Sequence, residues 1–339
     1  MSVIAIVGAG MMGSALSFPL RENGHEVRLV GTHLDREIIS SGRKTGRHPK
    51  FDRDFPAGMK YFQIEELDEA LAGAELMVSG VSSFGVDWLA ETVLPRVRVP
   101  VLSVTKGLSL GEEGNLADFP SGYAARFPGL CFNAVGGPCT SYELVAGDQT
   151  VVTFCGPDPE VLAWLKGLFA TPSYHIRLSA DVRGTEAAVA LKNGYALGIA
   201  LSVGLCRRQF KNETLHFNSQ AALFEQGLKE MSALLRLMGA GEDCLFTGAG
   251  DLYVTVYGGR TRKLGILLGE GDTFAQAMAK LDGVTLESVA ITGRVAKAVR
   301  KWAEKGICSL RDFPLLLHVD GILSEGRKAD IPWEDFVRS

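Results

Sequence analysis

The sequence lacks the features that mark several classes of protein. Its six cysteines lie far apart and form no C-x-x-C pair, which fits neither a zinc site nor a small disulfide framework and suits a reducing compartment. Lys and Arg number 35 against 39 Asp and Glu, so no basic excess is present and no nucleic-acid partner is expected. We find no internal repeat, no low-complexity segment and no charged, apolar leader. These absences predict a cytoplasmic protein, without a metal site.

The length and composition are those of a globular protein. The chain has 339 residues, of which 46% are hydrophobic and 22% charged, and two domains are the starting expectation at about 150 residues each. It contains 40 glycines, more than usual, which indicates close backbone approaches. The apolar stretch 187–205 is long enough to suggest a membrane span. It contains Lys192 and Asn193, and a central Lys costs roughly 3 kcal/mol on insertion, so we interpret it as a buried core helix.

The first half of the chain alternates between strand and helix patterns. Residues 3–7 form a continuous apolar run that ends at Gly8, as expected for a strand buried in a parallel sheet, and a helix pattern follows over 12–23. Further strands are predicted at 25–30, 75–81, 99–105, 131–135 and 150–154. Alternation of this kind predicts an α/β fold with a doubly wound, Rossmann-type sheet.

The second half of the chain shows only helical patterns. They cover residues 184–210, 219–238, 273–281, 286–304 and 313–325. We therefore predict a domain boundary near residue 180, with a Rossmann domain at 1–180 and an all-helical domain at 181–339.

A glycine motif stands between the first strand and the first helix. Gly8, Gly10 and Gly13 match G-x-G-x-x-G, with Met11 and Met12 between the last two glycines. Gly8 permits the tight turn, Gly10 lets a pyrophosphate approach, and Gly13 allows close helix–strand packing, while the helix N-terminus supplies amide donors. We therefore predict an NAD or NADP site here, the alternative being a glycine-rich turn without a ligand.

The residues after the second strand favour NADP over NAD. An NAD site usually has an acidic residue about 20 positions after the motif, and residues 31–34 contain none. A basic cluster that could accept a 2′-phosphate follows instead, made of His33, Arg36, Arg43, Lys44 and Arg47. The alternative is a solvated surface loop.

Two lysines occupy positions that predict function. Lys106 follows an apolar strand and so lies at the carboxyl end of the sheet, where open α/β sheets bind ligands. Lys192 lies within an apolar helix, where desolvation would lower its pKa and make it a better proton carrier near neutrality. A lysine that snorkels to water is the alternative for Lys192, and its neighbour Asn193 could bind substrate or simply face a polar surface.

Two glycine-flanked polar segments complete the candidate site. Asp251, within residues 248–252, could orient Lys192, although Asp is also a common helix N-cap. Residues 258–263 place three cations beside paired glycines, and an arginine fork with backbone amides suits a phosphate dianion. A solvated basic turn is the alternative.

Taken together, these segments resemble the NAD(P)-dependent glycerol-3-phosphate dehydrogenases over nearly the whole chain. The likeness rests on five segments in the same order, which are 8–13, 105–108, 190–193, 250–252 and 257–262. It implies reversible oxidation of glycerol 3-phosphate to dihydroxyacetone phosphate, a small phosphorylated substrate. It also implies a homodimer, and a role in supplying glycerol 3-phosphate for phospholipid synthesis.

The resemblance further implies a role for each site residue. Lys192 would carry the proton beside Asp251, and Lys106 would hold or polarise the substrate. Asn193, Thr255, Arg260 and Thr261 would surround the substrate. The cofactor would meet the glycine motif together with His33, Ser82, Lys106, Arg260 and Glu287.

The sequence departs from the family pattern at three places. Thr261 stands where the family usually has Asn, Ser82 lies in Val-Ser-Ser instead of Val-Pro-Ser, and residues 136–139 read Gly-Gly-Pro-Cys. We interpret Cys139 as a packing residue.

Three other functions are alternatives to the one that this resemblance implies. A ketopantoate or β-hydroxyacid type NADP-dependent reductase combines the same two domain types with a catalytic Lys. Residues 107–111 match the G-x-S-x-G pattern of hydrolases, but Ser109 lacks the strand-to-helix context that this pattern needs. A non-catalytic NADP-binding sensor would have no need to keep Lys106, Lys192, Asp251 and Arg260.

Overall fold

The computed structural model describes residues 1–51, 53–282 and 286–337, and the chain divides into two compact units. The first unit contains Met1–Lys106 and Phe119–Glu186, and the second contains Gly107–Asp118 and Ala187–Ser339. The sequence had suggested one boundary near residue 180. It gave no sign that a short segment following Lys106 joins the second unit.

The elements alternate in the first half and are almost entirely helical in the second. The strands are β1 Val3–Val7, β2 Glu26–Val30, β3 Lys60–Phe62, β4 Leu76–Ser79, β5 Val101–Ser103, β6 Leu108–Leu110, β7 Leu116–Asp118, β8 Phe132–Gly136, β9 Thr150–Cys155 and β10 Tyr174–Ser179. The helices of the first half are α1 Met11–Ala15, α2 Ser17–Glu22, α3 Arg36–Thr45, α4 Leu67–Leu71, α5 Val86–Trp88, α6 Phe119–Arg126, α7 Ser141–Ala146 and α8 Pro159–Phe169. Those of the second half are α9 Val182–Phe210, α10 Phe217–Leu237, α11 Cys244–Val256, α12 Gly259–Glu270, α13 Phe274–Lys280, α14 Glu287–Glu304 and α15 Pro314–Glu325.

The first unit is built on one sheet of eight strands. Their order is β10-β9-β8-β5-β4-β1-β2-β3, with all pairs parallel except β8 with β9. Ile4 and Ile6 belong to one buried cluster and Val7 and Met77 to another, because successive side chains of a strand point to opposite faces. The sheet is thus covered on both faces, as predicted for a doubly wound α/β fold. β3 and β10 were not predicted from the sequence.

The second unit is a helical body with one hairpin. Its central helix, α9, is long and apolar enough to cross a membrane, but 83% of its most apolar window is buried inside the protein. It therefore behaves as the core helix that its sequence predicted. The hairpin pairs β6 with β7 and buries Leu108 and Leu116 in the helical core, where Arg294 of α14 donates a hydrogen bond to the Leu108 carbonyl at 2.9 Å.

Two helices of this unit, α11 and α12, were not predicted because both are rich in glycine. Glycine disfavours a helix by about 1 kcal/mol, so its presence argued for turns. In the structure these glycines are contact points between helices. A Cβ on Gly265 would lie 2.5 Å from the Cβ of Ala200, and a Cβ on Gly269 would lie 2.3 Å from the Leu201 carbonyl oxygen. α12 can approach α9 this closely only because both positions lack a side chain.

Candidate functional site

The first part of the site is the glycine turn, residues 8–13. A Cβ on Gly8 would lie 2.7 Å from the carbonyl carbon of Gly80, and a Cβ on Gly13 would lie 2.1 Å from the Gly8 carbonyl oxygen, so both glycines are required by packing. Gly8 also has a φ of +105°, which disfavours any side chain. Gly10 differs, since its Cβ would meet nothing closer than 3.9 Å. The protein itself does not require Gly10, which fits a surface kept open for a ligand's phosphates.

The candidate residues of the first unit lie at one edge of its sheet. The register aligns the last residues of β1, β2, β4 and β5, which are Val7, Val30, Ser79 and Ser103. The chain leaves these four neighbouring strands at the same level. The glycine turn, His33, Ser82 and Lys106 follow them directly, so all four lie at the carboxyl edge, as was predicted for Lys106.

Lys106 is half-buried and its ammonium group has a defined contact. Its Nζ donates a hydrogen bond to the Gly137 carbonyl at 3.3 Å. Gly137 has a φ of +117°, and a Cβ there would lie 3.3 Å from the Cα of Val152. The segment 136–139, which departs from the family pattern, therefore includes a glycine that contacts Lys106. Cys139 packs against the hydrophobic core of this unit, in line with its interpretation as a packing residue.

An acidic residue that the sequence analysis overlooked lies beside the glycine turn. Asp35 precedes α3, and its Oδ2 accepts hydrogen bonds from the Ala9 amide at 3.1 Å, the Thr32 amide at 2.9 Å and the Thr32 hydroxyl at 2.8 Å. The predicted absence of an acidic side chain covered residues 31–34 only, and Asp35 is the next residue. A spacing of about 20 residues from the motif was the signal that could have found it.

The predicted basic cluster is largely engaged with carboxylates. Arg36 pairs with Glu65, Arg43 with Glu66 at 2.5 Å and Arg47 with Asp54 at 3.3 Å. All three pairs are exposed. His33 is exposed as well, and its ring lies 6.0 Å from that of Trp88. The preference for NADP that this cluster suggested remains a prediction.

The second unit holds the ion pair that the sequence suggested. Lys192 on α9 is 9% exposed and Asp251 on α11 is 1% exposed, and the Lys192 Nζ donates a hydrogen bond to the Asp251 Oδ1. Asp251 lies in the middle of α11, so the N-cap alternative is wrong. Lys192 is buried, so the snorkelling alternative is wrong too. An ion pair removed from water is costly unless its partners are well placed, which marks this pair as a candidate functional site.

A glycine on α11 explains how the two charges meet. A Cβ on Gly248 would lie 2.9 Å from both the Cβ and the carbonyl oxygen of Ala188. Gly248 precedes Asp251 by one helical turn, and Ala188 precedes Lys192 by one turn. The close approach of α11 and α9 at Gly248 therefore sets the distance between the carboxylate and the ammonium group.

The remaining candidates of this unit lie on α9, α11, α12 and α14. Thr255 is one turn after Asp251, and its hydroxyl donates to the Asp251 carbonyl at 2.7 Å. Asn193 is half-buried on α9. Arg260 and Thr261 occupy the first turn of α12, and Glu287 is the first residue of α14.

Residues 258–263 lie at the start of a helix, whereas the alternative considered for them was a solvated basic turn. α12 begins at Gly259 and has no side-chain cap, and a Cβ on Gly258 would meet nothing within 4 Å. Arg260 is exposed. Uncapped amides, the positive end of the helix dipole and a guanidinium group together provide the chemistry that binds a phosphate dianion.

The hydrolase alternative has no structural support. Ser109 lies in the middle of β6, and its hydroxyl donates to the Ala117 carbonyl at 3.1 Å. A nucleophile elbow requires a sharp turn from a strand into a helix, whereas β6 continues into a hairpin.

The comparisons with known proteins agree with this geometry. Residues 3–161 and 181–333 match the family models for the N-terminus and C-terminus of NAD-dependent glycerol-3-phosphate dehydrogenase. A protein from Archaeoglobus fulgidus named NADP(+)-dependent glycerol-3-phosphate dehydrogenase is 33% identical over 285 residues, covering 83% of this chain and 84% of the relative. A Koribacter versatilis protein named glycerol-3-phosphate dehydrogenase [NAD(P)+] is 30% identical over 338 residues, covering 96% and 94%. The crystal structure of a glycerol-3-phosphate dehydrogenase from Coxiella burnetii is 25% identical with a TM-score of 0.80, covering 98% and 97%. The resemblance seen in the motifs is thereby confirmed, and the chain belongs to the NAD(P)-dependent glycerol-3-phosphate dehydrogenase family.

Proposed function

We propose that this protein is an oxidoreductase that interconverts glycerol 3-phosphate and dihydroxyacetone phosphate with NAD or NADP. The names of its relatives support the reaction. The observation that carries the proposal is the buried Lys192–Asp251 pair, because an ammonium group kept from water beside a carboxylate suits proton transfer.

The first unit would hold the dinucleotide at the glycine turn. Open space at Gly10 and the uncapped start of α1 fit a diphosphate, with Met11 and Met12 supplying backbone amides. His33 follows β2 and Ser82 follows β4, the two strands that flank β1, and they would contact the adenosine and nicotinamide portions. When bound, the dinucleotide supplies or accepts the hydride at C2 of the substrate.

Lys192 would move the proton at the C2 oxygen. In the oxidation direction, loss of hydride from C2 leaves a carbonyl only if the hydroxyl proton departs, and neutral Lys192 takes it. In the reduction direction, protonated Lys192 returns that proton. Asp251 would keep the amine oriented, and Lys106 would stabilise the negative charge that develops on the oxygen.

The substrate phosphate would bind at the start of α12. Arg260 supplies two parallel donors and the first amides of the helix supply more. The phosphate takes no part in bond breaking, but anchoring it fixes the position of C2. Asn193, Thr255 and Thr261 would hydrogen-bond the substrate, with Thr261 offering a hydroxyl where the family usually has an amide. Glu287, and Arg260 in addition to its phosphate role, would contact the cofactor.

The decisive assay measures reduction of dihydroxyacetone phosphate with NADPH and NADH side by side. We expect oxidation of the reduced cofactor, followed at 340 nm, with NADPH preferred if His33 and its basic neighbours bind the 2′-phosphate. Ketopantoate serves as the comparison substrate, since the rival reductases act on carboxylates. Turnover of ketopantoate without turnover of the phosphorylated triose would overturn the proposal. Cofactor binding without any turnover would revive the sensor alternative.

The cellular setting is proposed on separate grounds. A cytoplasmic location suits six dispersed cysteines, and a supply of glycerol 3-phosphate for phospholipid synthesis suits the reaction. We further propose that two chains form a homodimer. Light scattering on the purified protein should give twice the chain mass of 36.4 kDa, and the mass of a single chain would contradict the dimer.

A further inference from the structure

Asp35 has a bonding pattern that its place in the sequence does not explain. An Asp that precedes a helix normally accepts hydrogen bonds from amides of that helix, but no amide of α3 donates such a bond to Asp35. Its Oδ2 instead takes three donors from outside the helix, which are the Ala9 amide, the Thr32 amide and the Thr32 hydroxyl. One carboxylate oxygen thus joins the loop after β2 to the glycine turn after β1.

Both the amide and the carbonyl of Ala9 make hydrogen bonds to side chains. The Ala9 amide is bonded to Asp35, and the Ala9 carbonyl accepts a hydrogen bond from the buried Ser14 hydroxyl at 2.9 Å. His48 lies nearby with 1% exposure, and its Nδ1 accepts the Lys50 amide at 3.0 Å. Burial lowers the pKa of His48, while the Ala9 carbonyl and the Asp35 charge act in the opposite direction. Hydrogen bonds to Asp35 and from Ser14 therefore hold the single residue between Gly8 and Gly10.

This arrangement decides which amides a diphosphate can use. The Ala9 amide is already bonded to a carboxylate, so it is not a donor for a ligand. The amides after Gly10, at the start of α1, are then the donors left for the diphosphate. The direction of their N–H groups depends on the orientation of the Ala9 peptide. A carboxylate bond to an amide is among the stronger hydrogen bonds, so Asp35 holds that peptide more firmly than a neutral acceptor would.

We propose that Asp35 is a positioning residue of the cofactor site, which acts through Ala9 to set the glycine turn for the diphosphate. Both NAD and NADP contain the diphosphate, so Asp35 supports both cofactors equally. This role differs from that of an acidic residue that reads the ribose, because such a residue favours NAD and repels the 2′-phosphate. The proposal rests on the cofactor class of the proposed function.

The test compares cofactor binding by Asp35→Asn, Asp35→Ala and a matched control. Glu37→Gln removes an equal charge from an exposed position two residues away. Isothermal titration gives dissociation constants for NADH, NADPH and ADP-ribose, the last of which carries the diphosphate without the nicotinamide. Each titration is run well below the melting temperature of the variant, so that unfolding is not counted as lost affinity.

We expect Asp35→Ala to weaken all three ligands by about tenfold or more, because a charged hydrogen bond to the turn is lost. Asp35→Asn should weaken them less, and by the same factor for NADH and NADPH, while Glu37→Gln leaves all three unchanged. If Asp35→Ala does not fold, Asp35→Asn decides the question. A change in the NADH to NADPH ratio would make Asp35 a reader of the ribose and overturn the proposal, as would unchanged affinity in both variants. A wild-type protein that binds neither dinucleotide would overturn the proposed function itself.

Discussion

Glycine positions the functional groups of the two units in different ways. In the first unit, Gly8, Gly10 and Gly13 lie within one turn, so local sequence brings the backbone amides together. In the second unit, Gly248, Gly265 and Gly269 lie on helices that pack against α9, and each allows a close approach between segments distant in the chain. The first arrangement can be recognised as a motif, whereas the second becomes visible only when the helices are packed.

The two candidate sites also differ in whether they bury charged side chains and in how much stability depends on those charges. The glycine turn offers backbone amides, and the one carboxylate bonded to it, that of Asp35, is only half-buried. The second unit buries an ammonium group and a carboxylate, and removing one partner of such a pair costs about 3–5 kcal/mol. The site of the second unit is therefore the more sensitive of the two to a single substitution.

Substitution of Lys192 by Ala should separate chemistry from cofactor binding. We expect turnover to fall by about a thousandfold, because the group that moves the proton is gone. The dissociation constant for NADH should stay near the wild-type value, since the glycine turn belongs to the other unit. Stopped-flow turnover and fluorescence titration measure the two quantities. The exposed Lys297→Ala is the control, and near-normal turnover in Lys192→Ala would remove this residue from the mechanism.

Substitution of Gly248 by Ala tests whether helix contact sets the ion pair. The added methyl would lie 2.9 Å from Ala188, so α11 must move away from α9 and carry Asp251 from Lys192. We expect a fall in kcat of about tenfold to a hundredfold, as befits a misplaced catalytic group. Gly293→Ala is the matched control, because it also lies within a helix of this unit and its Cβ would meet nothing within 4 Å. Equal kcat in both variants would contradict the role of Gly248.

Substitution of Arg260 by Ala should act on substrate affinity. We expect KM for dihydroxyacetone phosphate to rise by about tenfold, the effect of losing a charged hydrogen bond to the phosphate, with a smaller change in kcat. Steady-state kinetics at saturating cofactor measures both. The exposed Arg311→Ala removes the same charge elsewhere in the unit and should leave KM unchanged. An unaltered KM in Arg260→Ala would require another phosphate site.

A buried carboxyl predicts the pH dependence of stability in the second unit. Glu230 accepts hydrogen bonds from the amides of Leu315 and Leu316 at the start of α15 and from the Tyr195 hydroxyl. Burial raises its pKa from 4.5 to about 7, so the folded state binds the proton more tightly than the unfolded state. Its contribution to stability is therefore complete below pH 4.5 and is lost as the pH rises towards 7.

Thermal melts of the wild type and Glu230→Gln between pH 4.5 and 7.5 measure this contribution. We expect the variant to be less stable at low pH, because its amide cannot accept all the hydrogen bonds that the carboxyl does. Its melting temperature should depend less on pH across this interval. Parallel pH profiles for the two proteins would contradict the assignment.

Particular residues show how far sequence reasoning reached. The strand pattern and glycine spacing predicted β1, the turn and its place at the carboxyl edge, because each depends on neighbours within a few residues. Lys192 was recognisable since a lysine in an apolar helix is conspicuous. Asp35 was missed because the range considered for an acidic residue ended at Leu34. The helices α11 and α12 were missed because glycine was judged by helix propensity alone.

The amino-acid sequence by itself determined the alternation of strand and helix in the first unit, the glycine turn and the candidate catalytic residues, because periodicity, turn geometry and charge are local properties. The tertiary structure alone decided that α11 meets α9 at Gly248, that residues 107–118 join the helical unit, and that Asp35 bonds to Ala9. These three features depend on the packing of segments that are distant in the chain. A glycine that lets two backbones approach cannot be recognised from the sequence, because the sequence does not show which backbone lies beside it.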